Sequence, residues 1–258
     1  MEATQAKVWY EHMNILLINP NTTEAMTARM RAAVSPLIGE GVRLTAITAD
    51  YGAPSIEGYY DEVFAVPPMI EALKPIADQV DGVVVGCFDD TGVDALRCML
   101  NVPVVGICQA AMQAAAVIAN RFSIVTTLPV SVPALEHLVL RYGFERMCGR
   151  VRAADIPVLD LEENTDQATE LIAGELERAL ADDGAEAIIL GCAGMVELSS
   201  SLTKRYGIPV IEGVGAAVKL VEGLATLGIP TSPRGGYAPP RQKTYSGALA
   251  RYSPGITP

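Results

Sequence analysis

Two cysteines in this sequence end near-identical apolar stretches. "GVVVGCFDD" places Cys87 behind Val83, Val84 and Val85, and "AIILGCAGM" places Cys192 behind Ile188, Ile189 and Leu190, 105 positions later. A thiolate is a base and nucleophile, and a thiol is a weak acid. Held on opposite sides of one small molecule, such a pair can take a proton from one face of a carbon and return one to the other. Neither His12 nor His137 lies near a Gly-Cys turn in the sequence, which weakens a nucleophile–histidine reading. A buried cysteine can also be an ordinary small hydrophobe. Cys98 and Cys108 in helical context, and Cys148 in an expected loop, are read that way.

The elements that must position the two thiols follow from hydrophobic periodicity. "NILLINP" (residues 14–20) reads as a buried strand, and the stretch behind it as a helix capped by Thr22 or Thr23, with Met26, Met30 and Val34 on one face. "VRLTAITAD" is a second strand, followed by a proline-interrupted helix around residues 64–80 and "GVVVG" as the third. A helix beginning near Asp90 or Thr91, with Asp89 and Asp90 as its caps, leads to "VPVVGI" and the alanine-rich helix "CQAAMQAAAVIAN". Strands alternating with helices imply right-handed βαβ units and parallel sheets.

The second half repeats this plan. "FSIVTTLP" matches "NILLINP" with Ile124 against Ile15, "VRAADIPVLD" follows at the same offset as "VRLTAITAD", and "GIPVIEGVGAAV" matches "NVPVVGICQAAM" with Pro209 against Pro103. Four landmarks in one order point to duplication. The fold expected is α/β, two pseudo-symmetric lobes, each a parallel, flavodoxin-like sheet flanked by helices, with the active site in the cleft between them. Ligands of parallel sheets gather beyond the carboxyl ends of the strands, where both cysteines sit. Helix N-termini nearby offer free amides and a positive dipole end, an environment expected to lower a thiol's pKa.

Composition narrows the class. Half of the 258 residues are apolar while aromatics are only 5%, which suits aliphatic parallel strands. A net charge of −11 argues against a nucleic-acid or anionic-membrane partner. No run approaches ~20 apolar residues and the N-terminus lacks a secretory pattern, so a cytoplasmic protein that does not span a membrane is expected. Five cysteines without a CxxC pair, and only two histidines, disfavour a disulfide framework and a metal centre. The Pro-, Gly- and Ser-rich tail from Gly228 reads as an irregular wrap.

In combination, "INPNTT", "PSIEGYYDE", "GCFDDTG", "FSIVTTLP" and "LGCAGM" resemble the hydantoin racemase branch of the aspartate/glutamate racemase superfamily, which includes allantoin racemase. The likeness runs from about Met13 into the tail. It implies cofactor-independent racemisation, with Cys87 and Cys192 in the catalytic roles and Asn19 as a substrate-binding asparagine. Thr126 and Thr127 match the corresponding loop of the second half. Phe88, Asp89, Ala193 and Gly194 are expected to line the pocket or supply backbone N–H groups. It further implies a discontinuous first lobe (13–111 with 211–258) around a second (112–210), and a homo-oligomer. Gln109 stands where relatives commonly have glutamate, and residues 1–12 are an extension.

The substrate class so implied is a cyclic ureide. C5 of a hydantoin carries an acidic hydrogen because its carbanion delocalises into the adjacent carbonyl, so no metal or pyridoxal phosphate is needed as an electron sink. Three alternatives stand beside it: an amino-acid racemase of the Asp/Glu type, a maleate-isomerase-like enzyme, and a non-catalytic ligand-binding protein of the same fold. Against the first, the "INPNTT" loop lacks the Asp-Ser pair expected of glutamate racemases.

Overall fold

The computed structural model describes residues 13–163 and 165–254, so the extension at 1–12 lies outside the described residues. Strands β1 (Met13–Asn19), β2 (Val42–Thr48), β3 (Gly82–Val85) and β4 (Val104–Gly106) form one sheet in the order β2-β1-β3-β4. Strands β5 (Phe122–Thr126), β6 (Cys148–Ala153), β7 (Ala187–Leu190) and β8 (Val210–Ile211) form the other, in the order β6-β5-β7-β8. Every pairing is parallel. This is the flavodoxin strand order without its fifth strand, and its crevice opens where the order reverses, between the first and third strands of each sheet.

Two expectations shift here. Cys148 opens β6 rather than sitting in a loop. Ile15 pairs with Gly82 and Phe122 with Ala187, so with the cysteines aligned Ile15 corresponds to Phe122, two residues from the expected Ile124. A slip of two leaves every side chain on its own face, and the apolar pattern is blind to it.

The central strands β1, β3, β5 and β7 are buried on both faces, with neighbouring residues pointing to different cores. Ile15 and Leu17 join Val84 and, from the second sheet, Phe122, Ile124 and Ile189 in one cluster between the lobes. Leu16 and Ile18 turn outward with Val83 and Val85 onto Met69, Leu73 and Leu96. These three belong to α2 (Tyr59–Leu73) and α3 (Val93–Met99). On the second lobe, Val125, Ile188 and Leu190 face Ile172 and Leu176 of α7 (Thr165–Asp182). The α2 helix starts earlier than expected and carries Pro67 and Pro68 without a break.

Two helices exchange sheets. The helix after β4, α4 (Ile107–Ile118), packs on β7 and β8, whereas α9 (Gly213–Thr226), after β8, packs on β1, β3 and β4. They also lie against each other, filling the inter-lobe core with Ala111, Met112 and Ala115 from one and Val214, Val218 and Val221 from the other. Gly213 permits the contact: a Cβ there would stand 2.3 Å from the Ile107 carbonyl oxygen. The tail returns to the first lobe, where Thr231 donates to the Val102 carbonyl (2.7 Å) and Tyr237 to Asp94 (3.2 Å). Among the described residues, no helix is long and apolar enough to cross a membrane.

Candidate active site

Each cysteine follows a third strand by two residues and enters the same turn. The amide of Asp90 donates to the Cys87 carbonyl and that of Met195 to the Cys192 carbonyl, both at 3.1 Å. The first α-helical residue comes six positions after each, at Val93 and at Leu198 of α8 (Leu198–Tyr206). Neither thiol therefore sits at an α-helix N-terminus. Its donor is a turn amide instead, that of Asp89 for Cys87 and that of Gly194 for Cys192. Thr91 Oγ1 lies 3.3 Å from Cys87 Sγ.

The two turns meet. Cys87 and Cys192 line one cavity between the lobes, of about 30 Å³, closed over by Ile56 from the loop after β2 and Val158 from the loop after β6. Glu57 holds that closure across the cleft. Its Oε1 accepts from Ser55 Oγ and from the Val158 amide, each at 3.1 Å. Beside it Tyr59 meets His137 Nδ1 at 2.9 Å, on α5 (Val132–Arg141).

Of the expected site residues, Phe88, Asp89, Thr126, Thr127 and Ala193 line the cavity with the cysteines. Thr126 occupies the place corresponding to Asn19, and its hydroxyl donates to the Gly191 carbonyl (2.9 Å), pinning the turn before Cys192. Gly194 contributes its amide. Asn19 is not on the wall: it is fully buried, and its Nδ2 donates to Asn21 Oδ1 (2.8 Å) and Thr27 Oγ1 (3.0 Å). The residue it positions, Asn21, reaches the cavity. Asn21 Oδ1 also accepts from the Thr23 amide at 2.9 Å, an Asx turn rather than a helix cap. Thr23 itself precedes α1 (Glu24–Val34), but its hydroxyl donates to the Pro54 carbonyl, so the expected side-chain cap is not made. Met26, Ser131, Ile56 and Val158 also line the cavity. In the sequence Met26 stands out only as a core-facing position of the first helix, and the other three only as members of segments that follow a strand's carboxyl end.

Asp90 caps a different helix from the one expected. Its carboxylate accepts from the amides of Cys108 (2.9 Å) and Gln109 (3.0 Å) at the start of α4, and from Tyr142 Oη (2.8 Å). It has a left-handed backbone (φ 48°), and its oxygens approach Gly106 so closely that a Cβ there would stand 2.1 Å away. The cysteine turn of one lobe is thereby fastened to the helix that crosses to the other. Gln109 accepts from Arg97 Nη2 at 2.7 Å.

Desolvation decides the electrostatics. Both cysteines keep part of their surface accessible, yet enclosure raises both thiols, opposite to the lowering expected from the sequence. Cys192 rises to about 12, mainly by burial, against the pull of the Gly194 amide. Cys87 is raised as well, by burial and then the Asp89 carboxylate, with Thr91 and the Asp89 amide opposing. Asp89 is raised to about 7 by burial, then by Glu62 and Asp90. Among the described residues, no lysine, arginine or histidine lines the cavity. No group of three or more His, Cys, Asp or Glu is placed to share a metal ion among the described residues.

Comparison with known proteins shows the family. The sequence profile of the family described as Asp/Glu/Hydantoin racemase matches residues 15–221. The hydantoin racemase of Rhizobium meliloti is 48% identical over 236 residues, 91% of this chain and 98% of that protein. The solved allantoin racemase from Klebsiella pneumoniae is 43% identical with a TM-score of 0.89, over 94% of this chain and 99% of that one. That from Pseudomonas fluorescens is 36% identical with a TM-score of 0.88, over 91% and 100%. Racemases are isomerases, and by this match along almost its whole length the chain belongs to the Asp/Glu/hydantoin racemase family.

Proposed function

We propose that this chain racemises a cyclic ureide, a 5-substituted hydantoin or allantoin, by 1,1-proton transfer at C5 between Cys87 and Cys192. The observation that carries this reading is the placement of the two thiols, at equivalent points of two lobes on the wall of one cavity. One cysteine, as thiolate, takes the C5 proton. The carbanion delocalises into the adjacent carbonyl, and the other cysteine gives its own proton to the opposite face. For the other enantiomer the two cysteines exchange roles.

The rest of the wall supports a neutral substrate. Asn21 and Thr127 offer amide and hydroxyl groups matched to ureide N–H and C=O, and turn amides supply donors. A carboxylate substrate would meet Asp89 and no basic partner, a poor setting for an amino-acid racemase or a maleate isomerase. The same reading divides the chain into 13–111 with 211–258 and 112–210, supported by the packing of α9 on the first sheet and α4 on the second. Those crossovers fall at the helix starts, Ile107 and Gly213.

The test is incubation with single enantiomers of hydantoins, allantoin, Asp and Glu in D₂O, following optical rotation and deuterium uptake. Hydantoins or allantoin should lose rotation and gain deuterium together; exchange confined to Asp or Glu, or none at all, would sink the proposal. Cys87→Ser and Cys192→Ser should each abolish racemisation while keeping exchange with one enantiomer only. A mutant that racemises normally refutes the two-base mechanism.

A further inference from the structure

A pair of thiols raised by burial leaves a question of proton supply. One must become a thiolate in a cavity that disfavours charge, so its proton needs a receiver. Among the cavity's lining residues the titratable side chains are Cys87, Cys192 and Asp89. Asp89 has no counterpart in the other lobe, where Gly194 holds the corresponding place two residues past the cysteine. Among the described residues, no donor reaches its carboxylate. It also lines a second pocket of about 350 Å³, together with Glu62 of α2 and His137 and Arg141 of α5. Glu62 Oε1 is buried without a hydrogen-bond partner among the described residues. Asp89 thus stands in the wall between the thiols and a second, wider pocket.

We propose that Asp89 is the third proton-carrying group of this site, receiving the proton that one cysteine must lose before it can act as a base. The inference rests on the racemase reading above. In the resting site both cysteines are thiols and Asp89 is a carboxylate, one negative charge in all. Transfer of one S–H proton to the carboxylate gives a thiolate, a thiol and a carboxylic acid, still one negative charge. The S–H bond breaks, the O–H bond forms, and no proton comes from outside. After C5 has been deprotonated and reprotonated, the remaining thiolate recovers its proton from Asp89.

The thiols are weaker acids than the Asp89 carboxyl, so the step is uphill, and the charges lessen its cost. The Asp89 carboxylate is one of the groups that raise both thiols, so protonating it removes that repulsion as the thiolate forms. The groups facing Asp89 are Glu62 from α2, Asp90 on the same loop, both site cysteines, and Cys108 at the start of α4. Across the second pocket stand His137 and Arg141 of α5, the latter a cation paired with Asp94. The carboxyl group, held near 7 by burial and by Glu62 and Asp90, is poised to hold or release a proton near neutrality.

The experiment compares the wild type, Asp89→Asn, Asp89→Glu and Glu62→Gln. It measures single-enantiomer hydantoin racemisation against pH, and iodoacetamide labelling of Cys87 and Cys192. Asp89→Asn should lose kcat by about a hundredfold or more, the range of a lost acid–base group. Its thiols should nevertheless label faster, because the repelling charge is gone. Merely structural damage would not give this opposite pair of changes. Asp89→Glu should restore kcat to within about tenfold of wild type. Should Asp89→Asn fail to fold by circular dichroism, Glu62→Gln decides: its acidic limb of kcat/KM should move to lower pH. Retention of kcat by folded Asp89→Asn, slower labelling of it, or an unmoved limb in Glu62→Gln overturns the proposal. Absence of racemisation by the wild type overturns the racemase reading instead.

Discussion

Glu57 offers a direct measure of how the site is closed. Its Oε1 holds the loop of Ser55 and Ile56 across the cleft through the Val158 amide and is itself buttressed by Ser55, both at 3.1 Å. Truncation in Glu57→Ala removes both bonds, of which only the Val158 bond spans the cleft. At ~0.5–1.5 kcal/mol for a half-buried hydrogen bond, the closed state loses that amount. The open fraction, and with it thiol labelling by iodoacetamide, should rise roughly 2- to 13-fold. Charge enters separately, because Glu57 is among the groups raising Cys192 but not among those that dominate at Cys87. Glu57→Gln keeps an acceptor oxygen and removes the charge. Mass spectrometry of each cysteine should therefore show Glu57→Gln accelerating Cys192 alone and Glu57→Ala accelerating both. KM in Glu57→Ala should rise more than kcat falls. Unchanged labelling of Cys87 in a folded Glu57→Ala would refute closure by this contact.

Three further outcomes follow from the same geometry. A raised thiol ionises late, so labelling of Cys192 should climb about tenfold per pH unit from 7 to 10; levelling off below pH 9 would contradict its value of about 12. Tyr142→Phe removes the hydroxyl donor to the buried Asp90 carboxylate and should cost about 1.5–3 kcal/mol, roughly 3–12 °C in Tm by calorimetry. Gly213→Ala places a Cβ 2.3 Å from the Ile107 carbonyl oxygen and should destabilise by about 1–3 kcal/mol or more, read as an earlier denaturant midpoint; a neutral result would mean the α4–α9 contact yields freely.

What could be seen in the sequence was whatever depends on short-range pattern. A parallel strand buried on both faces is a contiguous apolar run, and chemistry collects at its carboxyl end, so Cys87 and Cys192 stood out with their strands. What could not be seen depends on approach between distant segments. Asp90 is adjacent to a helix start along the chain yet caps one that begins at Ile107, because the left-handed turn aims its carboxylate across the sheet. Which asparagine of "NPN" reaches the cavity is settled by the Asx turn, which consumes Asn19 and presents Asn21. The direction of the thiol shifts was hidden for a related reason. It depends on closure by Ile56 and Val158, two residues 102 positions apart.

Duplication explains why the site has two thiols, and divergence between the halves explains how they can differ. The turns match in their carbonyl-to-amide bonds, in the amide that reaches each sulfur, and in the six-residue step to the next helix. The side chains around them do not. Where the first lobe has Asp89 the second has Gly194, and the α4 N-terminus is capped from a distant loop by Asp90 while α9 is capped by its own Glu212. Asp89 is the part of the site that the duplication does not pair, and its charge adds to burial at both sulfurs. In the proposed two-base mechanism each sulfur serves one face of C5, so the enantiomer whose C5 hydrogen faces Cys192 should be the one whose deuterium exchange survives in Cys87→Ser.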